Sequence, residues 1–335
     1  MWVEITQGAL TPGVEDDLAL LGVLALCWAG RHQLLGDRAA LTAWASGIGI
    51  AGTDLSDVVD VLLDRGQQVQ ALGPSQELLQ VVGAQAQWTA PLALRPAAAL
   101  GLLARPLRLW LENGRNDWSF LLAFASPAQA RLLEGAARAG WLVVSSGGGC
   151  GELKVLVEDL ATGLGAKLSS GAELGEERRF FVVLDSDRTV PGPLPSSQQA
   201  VERGLRAAEG TLSQPQGWAG QVLQRREAEN YIPTDALESW AMTFTGDDRT
   251  QIKRLARALR QQGTPLLDHY DYKKGMAAAV LQPLLSAAPT DDQSRALHLG
   301  LGAERGLKFY QQHHAALTDP SGELGPLLAR VLERL

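Results

Sequence analysis

Apolar residues run unbroken from Phe180 to Leu184 and stop at Asp185, Ser186 and Asp187. A short run rich in aromatic and β-branched side chains predicts a strand buried on both faces, as in parallel sheets. A similar run, broken only by Arg108, spans Leu107 to Leu111 ahead of Glu112, and another starts at Trp141 and passes through Ser145 and Ser146 into a glycine cluster at Gly147, Gly148 and Gly149. Between these runs the spacing turns helical. Asp117 stands where it can cap a helix carrying Phe120, Leu121, Leu122 and Phe124. Further helices are predicted from Ser126 to Ala139 and from Leu153 to Leu164. Strand, helix, strand, helix, strand is the order of a parallel sheet.

Ahead of this region, from about Gly13 to Trp88, the pattern reads as mostly helical. Glu15, Asp16 and Asp17 open one helix, as acids at a helix start should. Leu55, Val58, Val59, Val61 and Leu62 repeat at helical spacing between Asp54 and Leu72. Glycines at 36, 47, 49, 52 and 73 punctuate the segments. Pro91, Pro96 and Pro106 suggest a domain boundary between Ala90 and Pro106. Beyond Asp187, Pro191, Pro193 and Pro195 predict a loop, and a polar helix follows from Gln198 to Glu209. Val222 to Pro233 reads as a fourth strand or strand-turn, placing Glu227 and Glu229 on one side of an extended chain. From Pro233 onward the chain reads as helical, with a well-marked helix from Gly246 to Gly263. The expected organisation is a helical N-terminal domain (1–100), an α/β domain (106–233) and a helical C-terminal extension (234–335).

Composition narrows this picture. A chain of 335 residues accommodates about two domains. At 46% apolar and 20% charged it is ordinary for a globular protein. No apolar run approaches the ~18 residues of a membrane span, and no basic segment opens a signal peptide. Two cysteines form neither a disulfide framework nor a zinc site, which fits a cytoplasmic setting. A net charge of -7 argues against a generally basic nucleic-acid binder, so any such surface must be local.

The candidate chemistry lies at strand ends. Ligands of open α/β sheets sit outside the carboxyl ends of the strands. Asp185 and Asp187, at i and i+2 of an extended chain, would point the same way and offer hard oxygen donors to Mg²⁺ or Mn²⁺. Glu112 occupies the matching position on its own strand. The glycine cluster lacks the Gly-Lys-Ser/Thr ending of a phosphate-binding P-loop. Arg249, Lys253, Arg257 and Arg260 share a helix face that would neutralise phosphates. His313 and His314 have no partner at metal-ligand spacing.

Together these motifs resemble a toprim domain, shared by primases, topoisomerases and the OLD-type and related phage-defence nucleases. The resemblance rests on the strand ending at Glu112, the middle strand with its glycine turn, the strand ending in Asp185-Ser186-Asp187, and the stretch from Glu227 to Tyr231. It covers about Leu107 to Pro233, with looser likeness to Gly275. It implies a Rossmann-like parallel sheet with flanking helices, and a metal-dependent endonuclease. Glu112, Asp185, Asp187 and Glu229 would hold two Mg²⁺ or Mn²⁺ ions, with Glu112 as ligand or general base. Lys274, or Lys273, would stabilise charge on the phosphorane. The implied partners are DNA or RNA and a separate ATPase or other subunit of a defence complex, with no membrane. In many of these nucleases an acid lies four residues after the first Glu; here Asp117 lies five after, which leaves open whether it is a metal ligand or only a helix cap, and whether Glu227 binds metal is open as well. Two alternatives remain: a topoisomerase- or primase-like toprim protein, and a non-catalytic metal-binding subunit. Against the first, no tyrosine precedes Glu112 and there is no cysteine-rich zinc module.

Overall fold

The computed structural model describes residues 1–10, 13–48, 54–72, 78–83, 86–89, 91–174, 178–211, 220–319 and 321–335. Gly49, Gly52, Gly73 and residues 175–177, part of an acidic stretch from Glu173 that the sequence predicts as a solvated loop, lie outside the described residues. Among the described residues two four-stranded sheets, both wholly parallel, divide the chain.

The first sheet has the order β2-β1-β3-β4, from β1 (Trp2–Ile5), β2 (Gln33–Gly36), β3 (Leu78–Val81) and β4 (Leu92–Leu94). Helices α1 (Val14–Trp28), α2 (Arg38–Gly47), α3 (Leu55–Leu72) and α4 (Pro96–Leu103) accompany it. The expectation of a helical N-terminal domain is therefore corrected. These strands are three or four residues long, and the helices between them dominate the hydrophobic periodicity. The proline-rich segment is not a linker throughout: it supplies β4 and α4, with Pro96 at the start of the helix, where its missing N–H is no loss.

The second sheet has the order β6-β5-β7-β8 and is built from β5 (Leu107–Leu111), β6 (Leu142–Ser146), β7 (Phe180–Leu184) and β8 (Gly220–Val222). The first three strands lie where the apolar runs predict them. The connecting helices are α5 (Gly114–Phe124), α6 (Pro127–Arg138), α7 (Cys150–Ser170) and α8 (Ser196–Thr211). Ser126 caps α6 in a reciprocal box with Gln129. The C-terminal part carries only helices among the described residues: α9 (Thr234–Trp240), α10 (Gly246–Gln262), α11 (Leu266–His269), α12 (Ala278–Leu281), α13 (Asp291–Leu299), α14 (Ala303–Gln312) and α15 (Leu324–Glu333), with short 3-10 turns between some of them.

Strand β7 is buried along its whole length, and alternation sends its side chains into two cores. Phe181 and Val183 join α5, α6 and the C-terminal helices. Phe180, Val182 and Leu184 join α7, α8 and the core of the first sheet. Each such side chain contributes about 1.5–3 kcal/mol by leaving water. This burial fixes where β7 ends, and so where its acids emerge. No helix among the described residues is long and apolar enough to cross a membrane.

Candidate functional site

The neighbouring strands β5 and β7 end together. Each is followed at once by an acid, Glu112 and Asp185. The Asp185 backbone N–H donates to Glu112 Oε2 at 3.2 Å, across 73 positions of sequence. Asp185 Oδ1 in turn accepts from the backbone N–H of Ala228 at 3.0 Å. That bond ties β7 to the turn Ala228–Tyr231, which carries Glu229.

This turn corrects one expectation. Strand β8 ends at Val222, and Ala228–Tyr231 is a 3-10 turn entered from Glu227, not extended chain. Asn230 closes it: its side-chain oxygen accepts from the Glu227 N–H at 2.9 Å, and its amide donates to the carbonyls of Leu267 and Tyr270. Phe120 of α5 packs against Tyr231 and Tyr310, with ring centroids 5.4 Å apart in each case. An aromatic cluster therefore sets the Glu229 turn against the helix that follows Glu112.

The same-side argument for Asp185 and Asp187 does not carry over to the structure. The strand stops at Leu184, and Asp187 has a left-handed backbone (φ 52°), which Asp tolerates better than most residues. Its N–H donates to the Arg226 carbonyl at 2.9 Å, and its carboxylate accepts from the Gln198 amide. The acids consequently form two groups that meet at Glu112. Burial, then repulsion from Asp187, raises the Glu112 carboxyl above its ordinary pKa. Burial, then Asp117, Glu112 and Glu229, raises Asp185 well above its own. Asp117 is pushed up to about 7, by burial and then by Glu229 and Glu112.

Two residues of α5 play parts the sequence did not assign. The helix starts at Gly114, ahead of Asp117, which therefore lies within the first turn and accepts from the Asn113 N–H at 2.7 Å. Asn116, four residues after Glu112, donates its amide to Glu229 Oε1 at 3.2 Å, while its own buried carbonyl oxygen lacks a hydrogen-bond partner. Gly306 of α14 completes the floor, since a Cβ there would lie 2.9 Å from Glu229 Oε1. The signal for Asn116 was its offset from Glu112; for Gly306 the sequence held none.

Of the two adjacent lysines, Lys273 faces the acids and Lys274 is exposed. Lys273 Nζ lies 3.4 Å from Glu227 Oε2 and 3.5 Å from Glu229 Oε2. Burial works against its ammonium, but Glu229, Glu227 and Asp185 overcome that and hold its pKa above the ordinary value. Lys274 contributes its backbone N–H to Asp271, which also pairs with Arg226 at 2.9 Å. Glu227 is pushed up to about 7 chiefly by burial.

Gly148 and Gly149 have positive φ and turn β6 into α7, and a Cβ on Gly147 would meet Leu153. The basic row of α10 is offset locally. Arg257 pairs with Glu238 at 3.0 Å, Arg260 with Asp235 and Glu238, and Arg249 reaches Met242 Sδ. Lys253 lies half-buried on the same helix.

The donor chemistry suits a hard divalent cation: several buried carboxylates, with Asn116 Oδ1 left without a hydrogen-bond partner and Glu229 Oε2 held only by its ion pair with Lys273. The arrangement is not a closed cage, because among the described residues no group of three or more His, Cys, Asp or Glu side chains is placed to hold an ion. Protein donors already hold one oxygen on each of Glu112, Asp185, Asp187 and Glu229.

No family model matches this chain, and no curated protein matches it. Among solved structures, that of DsGPDH of Dunaliella salina aligns over 99% of this chain and 82% of that one, at 10% identity and a TM-score of 0.22, too low to bear on fold or function.

Proposed function

We propose that this chain is a divalent-metal-dependent phosphodiesterase of the toprim type, an endonuclease acting on nucleic acid as an effector of anti-phage defence. The observation that carries the reading is the junction of Glu112 and Asp185 at the shared carboxyl end of two adjacent parallel strands, with Asp117, Asp187 and Glu229 around it. Buried acids that repel one another are the environment a divalent cation relieves. Glu112, Asp185, Asp187 and Glu229 would hold Mg²⁺ or Mn²⁺, which when bound offsets charge on the scissile phosphate. Asn116 and Gly306 orient Glu229. Lys273, rather than Lys274, lies beside these acids and would balance charge on a phosphate held there through the metal. The four tyrosines are all buried, which favours hydrolysis over strand transfer by a tyrosine nucleophile.

The test is incubation with plasmid, single-stranded DNA and total RNA in Mg²⁺ or Mn²⁺, beside an Asp185→Ala control. Metal-dependent cleavage that Asp185→Ala abolishes supports the reading. Equal activity in wild type and variant ends it. One observation favours a non-catalytic subunit instead: Lys273 already supplies a positive charge to Glu227 and Glu229. Calorimetry separates the two, since absence of heat at millimolar Mg²⁺ and Mn²⁺ supports the subunit reading. Association with a separate ATPase belongs to the same proposal and is tested by co-purification from cells expressing both.

A further inference from the structure

Helix α1 carries eleven successive residues without a charge, from Leu18 to Trp28. Its inner face, Leu20, Val23, Leu24 and Cys27, is buried in the core of the first sheet. Its outer face is apolar too. Leu18, Leu21, Ala25 and Trp28 follow one another at spacings of three and four, the repeat of a coiled-coil seam. Leu18 is 64% exposed and Trp28 53%. Helix α4 runs beside α1 in the same direction. Arg95, at its start, lies 3.9 Å from Asp16, and Arg31, just past α1, donates to the Ala104 carbonyl at its end. Its exposed positions Ala97 and Gly101 extend the apolar surface, with Leu100 half-buried against Gly22 of α1.

Helix α1, with 15 residues, is ~22 Å long, and with the shorter α4 beside it presents a face on the order of 400 Å². A patch of a few hundred Å² is about the largest that a monomer exposes, and such patches are often functional. The charges at the rim identify the occupant. Glu15 stands at one end of the stripe, with Asp16 beside it already paired to Arg95. At the other, the Arg65 guanidinium lies 5.9 Å from the Trp28 ring, and Arg105 is exposed. A second copy packed antiparallel across a two-fold axis brings Glu15 towards Arg65 and Arg105 at both ends. It also sets Leu18 opposite Trp28 and Leu21 opposite Ala25, large against small at the centre. A parallel copy would stack acid on acid. We infer that the α1/α4 face is the interface of a two-fold symmetric homodimer.

Equilibrium sedimentation of the full chain across micromolar concentrations tests this. The wild type is expected to dimerise. Leu18→Glu, at a largely exposed position, is expected to weaken association at least ~100-fold with an unchanged far-ultraviolet spectrum. Glu15→Arg and Arg65→Glu are each expected to weaken it about 3- to 10-fold, and the double variant to recover most of the loss. A wild type that stays monomeric overturns the inference, as does a dimer indifferent to Leu18→Glu or a double variant no better than the singles. A monomer that instead floats with lipid vesicles overturns it in favour of a membrane surface. None of these readouts depends on nuclease activity.

Discussion

Lys273 lies 3.5 Å from Glu229, a carboxylate 1% exposed on the turn that also receives β7. The pair links the segment after α11 to the acids at the sheet's end. Removing one partner of a buried ion pair leaves an uncompensated charge, at a cost of about 3–5 kcal/mol. Lys273→Met is therefore expected to lower stability towards the lower end of that range, because the lysine side chain is 28% exposed. Lys274→Met is expected to change it by less than ~0.5 kcal/mol. Urea denaturation of both variants checks the contrast, and equal losses would refute the placement of Lys273.

Stability without metal should fall as pH rises. The Asp117 and Glu227 carboxyls are raised to about 7 in the folded chain, from ordinary carboxylate values. The folded state thus binds more protons than the unfolded state between about pH 4 and 7. Stability from these groups is fully present below the unfolded pKa and is lost as pH rises through 7. Thermal melts in a chelator from pH 4.5 to 8 should trace this decline, and Asp117→Asn should flatten it. A melting temperature that climbs across that window would contradict the assignment.

Divalent cations should reverse that loss. If Mg²⁺ or Mn²⁺ binds the folded acids alone, a concentration about 100-fold above Kd adds about 2.7 kcal/mol. The melting temperature is expected to rise with metal at pH 8, and to rise much less in Asp185→Asn. An equal rise in both proteins would remove Asp185 from the binding set.

Gly306→Ala probes the floor of the site. Its new Cβ would stand 2.9 Å from Glu229 Oε1, so the carboxylate must move. The variant is expected to fold, to bind metal more weakly by calorimetry, and to lose most cleavage. Gly325→Ala, with open space around its Cβ, serves as the control. Unchanged metal affinity in Gly306→Ala would show that Glu229 does not contribute.

The strands that carry the acids were legible because Phe180–Leu184 is an unbroken buried apolar run, and Leu107–Leu111 admits only Arg108 before it ends abruptly at Glu112. Phe180–Leu184 and Leu107–Leu111 name their own boundaries, and Glu112 and Asp185 stand at them. The first sheet was not legible. Trp2–Ile5 is interrupted by Glu4, and Leu92–Leu94 has three residues, so neither has length enough to compete with the helical periodicity around it. The site was half legible. The choice between Lys273 and Lys274 depends on the local turn, and the parts of Asn116 and Gly306 exist only through packing against Glu229.

By itself the sequence determined that parallel strands would end in carboxylates. Burial on both faces demands apolar runs, and chain polarity puts the acids after those runs at one rim. Tertiary structure alone decided which acids face which. The left-handed turn at Asp187, the 3-10 turn at Glu229 and the aromatic packing of Phe120 on Tyr231 and Tyr310 set those distances. Such contacts join residues far apart along the chain, and no local pattern of apolar and polar positions encodes them.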